Sequence, residues 1–197
     1  MNTVHYISYG LKSKIELDKS IKSLKQYNSY PVNIINESNS KFKLETDNVY
    51  NSRYSKTTLN HYQSNKNIYI DSDTTIKSNL DILFELLDTF ELVICLSSNQ
   101  NLDNKFWHVS DIERQYTYDT ISNKLLQYQC GMFSWRKCLA MDNLFTQWHK
   151  EWLLYSGQDQ AAFSRALYNC PVKLYILGNS FNSSSGTVIT HNFGKIR

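Results

Sequence analysis

Several features that would place a protein in a class are missing from this chain of 197 residues. Its four cysteines, Cys95, Cys130, Cys138 and Cys170, form no Cys-x-x-Cys pair. That excludes a zinc ribbon and a thioredoxin-type motif, and the cysteines read as reduced thiols of an intracellular protein. Neither sign of charge dominates: 21 basic and 18 acidic side chains leave a net charge of +3. A protein that grips nucleic acid needs a denser basic face, so no nucleic-acid partner is expected. The longest apolar runs are strand-sized, such as Leu92 to Leu96, far below a membrane span. The N-terminus has no basic segment followed by an apolar one. Together these absences predict a soluble, cytoplasmic protein without a transmembrane segment. Proline (2) and glycine (6) are scarce, while Asn, Lys, Ile, Ser and Tyr abound. This bias reads as AT-rich coding in a bacterial or viral source and carries no mechanism.

What is present is an ordinary globular composition, 41% hydrophobic and 20% charged. Its length suits one domain, residues 1–197, around one sizeable core. The small positive excess fits an anionic ligand such as a nucleoside diphosphate, and equally fits plain solubility. Hydrophobic spacing predicts strands at 3–9, 31–35, 68–70, 90–96, 126–135, 172–177 and 187–190, with Gly131 interrupting the fifth. Helices are predicted at 12–28, 53–64, 79–87, 137–155 and 158–168, the third capped by Ser78 or Asn79. The stretch 36–51 reads as a loop, as does the Ser/Asn-rich 179–186, while 97–124 is polar and shows no readable pattern. Strands alternating with helices in the first half imply right-handed βαβ units and a largely parallel sheet, an α/β fold. In such sheets ligands gather beyond the carboxyl ends of the strands.

Asp71-Ser72-Asp73-Thr74-Thr75 leaves one of those carboxyl ends, directly after Ile68-Tyr69-Ile70. Two carboxylates one residue apart are costly in an apolar setting unless a cation or donors compensate them. A hard divalent ion shared with a diphosphate is one solution, and a strand-end turn accounts for the acidic residues alone. Two families use this spacing. In haloacid-dehalogenase phosphatases the pattern is Asp-x-Asp-x-Thr, which would make Asp71 a nucleophile. In GT-A glycosyltransferases Asp-x-Asp holds a metal under a nucleotide-sugar diphosphate. The phosphatase pattern needs an acidic motif downstream, and its only late candidate, Gly178-Asn179-Ser180-Phe181-Asn182, lacks carboxylates.

The order of motifs resembles family 8 of the GT-A glycosyltransferases, the glycogenin and lipopolysaccharide galactosyltransferase group. Arg53 to Lys56 resembles its basic helix, Tyr69 to Thr74 its Asp-x-Asp strand, and Leu80 to Phe84 the short helix that follows. Gln129-Cys130-Gly131-Met132 resembles its Asn-Ala/Ser-Gly strand, and Gly157 to Ala162 its Asp-Gln helix start. His191 to Arg197 resembles its closing His-x-x-Gly-x-x-Lys. Two positions depart from the pattern: Gln129 stands for an Asn, and Arg197 for a Lys.

This resemblance implies a GT-A fold and a metal-dependent transfer from a nucleoside diphosphate sugar, a UDP-hexose by analogy, with retention of configuration. The acceptor would be a glycan, lipid-linked or protein hydroxyl. It implies Mn²⁺ or Mg²⁺ on Asp71, Asp73 and His191. Asp159 and Gln160 would act near the anomeric carbon. Tyr9, Arg53, Lys56, Ser72, Gln129, Gly131, Gly194, Lys195 and Arg197 would hold the donor, with Tyr9 at the base. A non-catalytic nucleotide-sugar-binding module is a further reading. His5, His61, His108 and His149 lack motif context and read as structural or exposed. Trp107, Trp135, Trp148 and Trp152 are possible sugar platforms, although the spacing of Trp148 and Trp152 suits core packing.

Overall fold

The computed structural model describes residues 1–97, 100, 105–122 and 126–193. Six strands form the central sheet: β1 (Asn2–Ile7), β2 (Val32–Ile35), β3 (Lys66–Ile70), β5 (Leu92–Leu96), β6 (Tyr128–Arg136) and β7 (Leu174–Leu177). They lie in the order β2-β1-β3-β6-β5-β7. The β1–β2, β1–β3 and β5–β7 pairings are parallel, while β6 runs antiparallel to β3 and β5. The sheet is therefore mostly parallel, with one reversed strand inside it. Two short strands, β4 (Thr74–Ile76) and β8 (Ile189–His191), form a separate antiparallel pair.

Side-chain alternation fills both faces. Along β3, Ile68 and Ile70 join one core cluster and Tyr69 the other; along β6, Met132 faces one and Phe133 the other. Helices α1 (Gly10–Tyr27) and α3 (Asp81–Leu86) cover the first face through Leu17, Leu24, Leu83 and Phe84. Helices α5 (Leu139–Leu153) and α6 (Asp159–Asn169) cover the second with Phe145, Trp148, Trp152 and Phe163. Trp135, Trp148 and Trp152 are each at most 1% exposed, so they pack the core and none is a sugar platform. No described helix is long and apolar enough to cross a membrane.

Three expectations need correction, and one stretch left without assignment gains a helix. The stretch 36–51 is not all loop: α2 (Asn48–Thr57) begins inside it, where the Asp47 carboxylate accepts a hydrogen bond from Val49 N. That helix ends at Thr57, and the rest of the expected 53–64 helix is a 3-10 turn at Leu59–Tyr62. The polar middle contains α4 (Asp111–Ile121), started by Ser110, whose hydroxyl accepts from Glu113 N. Gly131 does not interrupt β6, which runs unbroken from Tyr128 to Arg136.

Buried groups tie these layers together. Arg165, fully buried, bonds Glu151 at 2.8 Å and Thr117 at 2.6 Å, joining α4, α5 and α6. On β1, the His5 ring sits between Asn67 Oδ1, 2.9 Å from Nε2, and Asn33 Nδ2, 3.1 Å from Nδ1. One ring nitrogen donates and the other accepts, which is the neutral form. Burial pushes His5 down from its ordinary range to about 4. The unfolded chain takes up this proton below about pH 6.5 and the folded chain does not, so stability from His5 is full above that range. Folding stability should fall as pH drops from 6.5 toward 4, by up to about 3 kcal/mol from this residue. Denaturant melts of the native chain and His5→Gln across that range should differ in slope; equal slopes would remove His5 from the account.

Candidate active site

Strand β3 ends at Ile70, and the chain turns immediately. Asp71 N donates to Gly131 O on β6 at 2.8 Å, and the Thr74 hydroxyl donates back to Asp71 O at 2.9 Å. This turn aims both acidic side chains into one cavity of about 890 Å³. The small β4–β8 pair completes the site from the far end of the sequence. It sets Thr74 opposite His191, and Asn192 N donates to Asp73 O at 2.9 Å. His191 Nε2 thereby lies 3.1 Å from Asp73 Oδ1 and 3.8 Å from Asp71 Oδ2. One ligand atom from each of the three residues falls within 4.8 Å of the others.

The far ring nitrogen fixes what this histidine offers. His191 Nδ1 is 2.8 Å from Asn182 Oδ1, and an amide oxygen only accepts, so Nδ1 carries a proton. Nε2 is left to face two carboxylates. A lone pair there is repelled unless a cation or a second ring proton lies between. Imidazole nitrogen with two carboxylate oxygens is a donor set that accepts Mn²⁺ or Mg²⁺, Mn²⁺ more readily. Gly131 makes the approach possible: a Cβ there would run into His191 Cε1 and lie 2.8 Å from Nδ1 and 3.0 Å from Asp71 Oδ2. Asn182 was not singled out from the sequence, because a Ser/Asn loop carries no periodic or motif signal.

Lys56 differs in placement from the simple donor contact expected of it. It is 9% exposed, with Nζ 3.1 Å from Asp71 Oδ1 and 3.0 Å from Asp159 Oδ2, 5.0 Å from the Tyr69 ring centre. Burial works against its charge, but Asp159 and Asp71 outweigh burial and hold Lys56 well above the usual lysine range. Burial likewise opposes charge on Asp159, and Lys56 more than offsets it, keeping that carboxyl below its ordinary range. Tyr69 donates its hydroxyl to Asp71 Oδ1. One ammonium therefore joins the Asp-x-Asp turn to the first residue of α6.

A second chain of contacts starts at Gln160. Its Oε1 accepts from Gln127 Nε2 and its Nε2 donates to Gln129 Oε1, both at 2.6 Å. Gln127, another residue missed from the sequence, passes the link to Phe106 N through its own Oε1 at 2.9 Å. Tyr9, Arg53, Ser72, Gln129 and Gly131 all line the same cavity. The Tyr9 hydroxyl is 2.8 Å from Ser55 Oγ, and Ser72 Oγ is 3.0 Å from Ser13 Oγ. Gly194, Lys195 and Arg197 lie outside the described residues. Among the histidines, His5 and His149 are structural, the latter 2.8 Å from the Thr57 hydroxyl, whereas His108 lines the cavity.

No protein-family model matches the chain, and no curated protein matches it by sequence. Solved structures do. The bifunctional glycosyltransferase WbbM superposes with a TM-score of 0.72 at 15% identity, over 98% of this chain and 45% of that one. Mouse xyloside xylosyltransferase 1 gives 0.62 at 12% identity, over 98% of both chains. The galactosyltransferase LgtC, solved with donor and acceptor sugar analogues, gives 0.61 at 14% identity, over 97% of this chain and 86% of that one. This chain thus spans less than half the length of WbbM. The fold is that of the GT-A glycosyltransferases, and the family resemblance read from the sequence holds at that level.

If Asn182 sets the ring of His191, removing its oxygen should loosen a bound cation. Asn182→Leu is expected to weaken Mn²⁺ binding by about 10- to 100-fold, while Asn182→Asp, which keeps the acceptor, should retain most of it. Calorimetric titration with Mn²⁺ checks this. Equal affinity in the leucine variant would show that the amide does not position the ring.

Proposed function

We propose that residues 1–197 form a single GT-A domain that moves a sugar from a nucleoside diphosphate sugar, a UDP-hexose, to an acceptor hydroxyl in the cytoplasm. The observation that carries this reading is the meeting of Asp71, Asp73 and His191 in a large cavity that also contains Asp159, Gln160 and Lys56. Mn²⁺ or Mg²⁺ held by the triad supplies Lewis-acid neutralisation of the diphosphate charge.

The remaining roles fall to side chains of this protein. Lys56 holds Asp71 and Asp159 at 3.1 and 3.0 Å from its ammonium and keeps Asp159 ionised. Ser72 and Arg53 flank the diphosphate, and the family resemblance assigns Gly194, Lys195 and Arg197 to it as well. Tyr9 packs at the base. Asp159 and Gln160 hold the donor sugar at its anomeric carbon, with Gln160 steadied by Gln127 and Gln129. In the transfer, the acceptor oxygen forms a bond to that carbon as the bond to the diphosphate oxygen breaks. The electron pair leaves with the nucleoside diphosphate, and the acceptor proton passes to the departing oxygen. Retention of configuration follows from the family resemblance.

The phosphatase alternative is not favoured. Its nucleophile would be Asp71, whose Oδ1 is already engaged by Lys56 and Tyr69, and the similar folds are glycosyltransferases. A screen of UDP-, GDP- and other nucleotide sugars with Mn²⁺ tests the proposal. The native chain should release nucleoside diphosphate from a UDP-hexose, and Asp73→Ala should lower that rate by roughly a hundredfold or more. Binding of donor with Mn²⁺ but no release by the native chain would make it a non-catalytic module. Phosphate release from a model ester, lost in Asp71→Ala, would restore the phosphatase.

A further inference from the structure

Gln160 and Asp159 mark one end of the cavity, and Tyr9 and Gly10 mark another part of its wall. Beside Asp159 the wall is made by a short segment that the proposed roles do not use. Trp107 lines the cavity yet is 62% exposed, a large apolar ring left in solvent. His108 follows it, half-buried, and its Nε2 is shielded from solvent with no hydrogen-bond partner among the described residues. That buried nitrogen is costly to leave unpaired, and the ring that carries it lines the cavity beside the exposed indole.

The segment is built to hold still. Phe106 takes a left-handed backbone, φ 55°, unusual for a bulky residue. Its ring is 1% exposed and packs with Val109 and Ala161. Its amide is held by Gln127, the same side chain that steadies Gln160, and the Tyr118 hydroxyl donates to Lys105 O at 3.0 Å. Phe106 and Val109 are anchors, and Trp107 and His108 are what they present. The two rings stand edge to face, with centres 5.6 Å apart.

We propose that Trp107 and His108 form a carbohydrate subsite, in which a pyranose lays its C–H face on the indole with the His108 ring at its side. An aromatic face with one polar group at its side matches a sugar, which is apolar on one face and polar at its rim. Burial lowers the affinity of His108 for a proton, with nearby Asp159 opposing this, so the ring beside the indole is neutral. Resting on the transferase reading, the subsite is that of the acceptor, and the acceptor is a glycan. A lipid-linked or protein hydroxyl without a sugar ring has no use for this pair.

Saturation-transfer NMR with cellobiose, maltose, lactose and N,N′-diacetylchitobiose tests the subsite, alone and with Mn²⁺ and UDP present. The native chain should bind at least one of them. Trp107→Ala should weaken that binding about tenfold or more, and His108→Ala severalfold, while Trp107→Phe keeps most of it. Thermal melts that match the native chain show that the variants fold. No saturation transfer from any disaccharide under either condition overturns the proposal, as does equal binding by Trp107→Ala. Separate titration of UDP with Mn²⁺ isolates the transferase reading: sugar binding without nucleotide binding leaves the subsite standing and removes the transferase.

Discussion

Two carboxylates set one residue apart at the end of a buried strand are the constraint around which this molecule is arranged. Asp71 and Asp73 repel each other, and both are only partly exposed to water. Each nearby element answers that charge. Helix α2 sends in Lys56, β3 sends the Tyr69 hydroxyl, and β8 sends His191. Gly131 on β6 withdraws a side chain so that histidine and acid can approach. Asp71, Asp73 and His191 could together hold a cation, the remaining compensation that the proposed function calls on.

The Lys56 ammonium extends the constraint to the sugar end. Because it bridges Asp71 and Asp159, it ties the acidic turn to the start of α6. The glutamine chain from Gln129 through Gln160 and Gln127 to Phe106 N continues the same wall to Trp107 and His108. Charge compensation around Lys56 and neutral amide bonding around Gln160 give the two parts of the wall different chemistry, which the proposed function matches to the anion and the sugar of a donor.

Much of this was legible in the sequence, for identifiable reasons. The run Ile68-Tyr69-Ile70 before Asp71 is apolar enough to be a strand, so the position of the acids followed from the rule for ligand sites in α/β sheets. The long helices were legible because Leu144, Trp148 and Trp152 repeat every four residues. Helix α2 was partly hidden: its face is polar, and its start depends on the Asp47 cap. Strands β4 and β8, three residues each, are too short to show alternation, although they bring His191 to Asp73. Asn182 and Gln127 act through contacts across the fold, and no local pattern announces such contacts.

The central claim is that an imidazole from near the C-terminus and the acidic pair bind one cation together. Electron spin-echo spectroscopy of Mn²⁺ bound to the native chain reads this directly through coupling to a ligand nitrogen. The account predicts a directly bonded imidazole nitrogen in the native chain, absent in His191→Ala. Bound Mn²⁺ with no nitrogen coupling, or with coupling that survives the loss of His191, would contradict it.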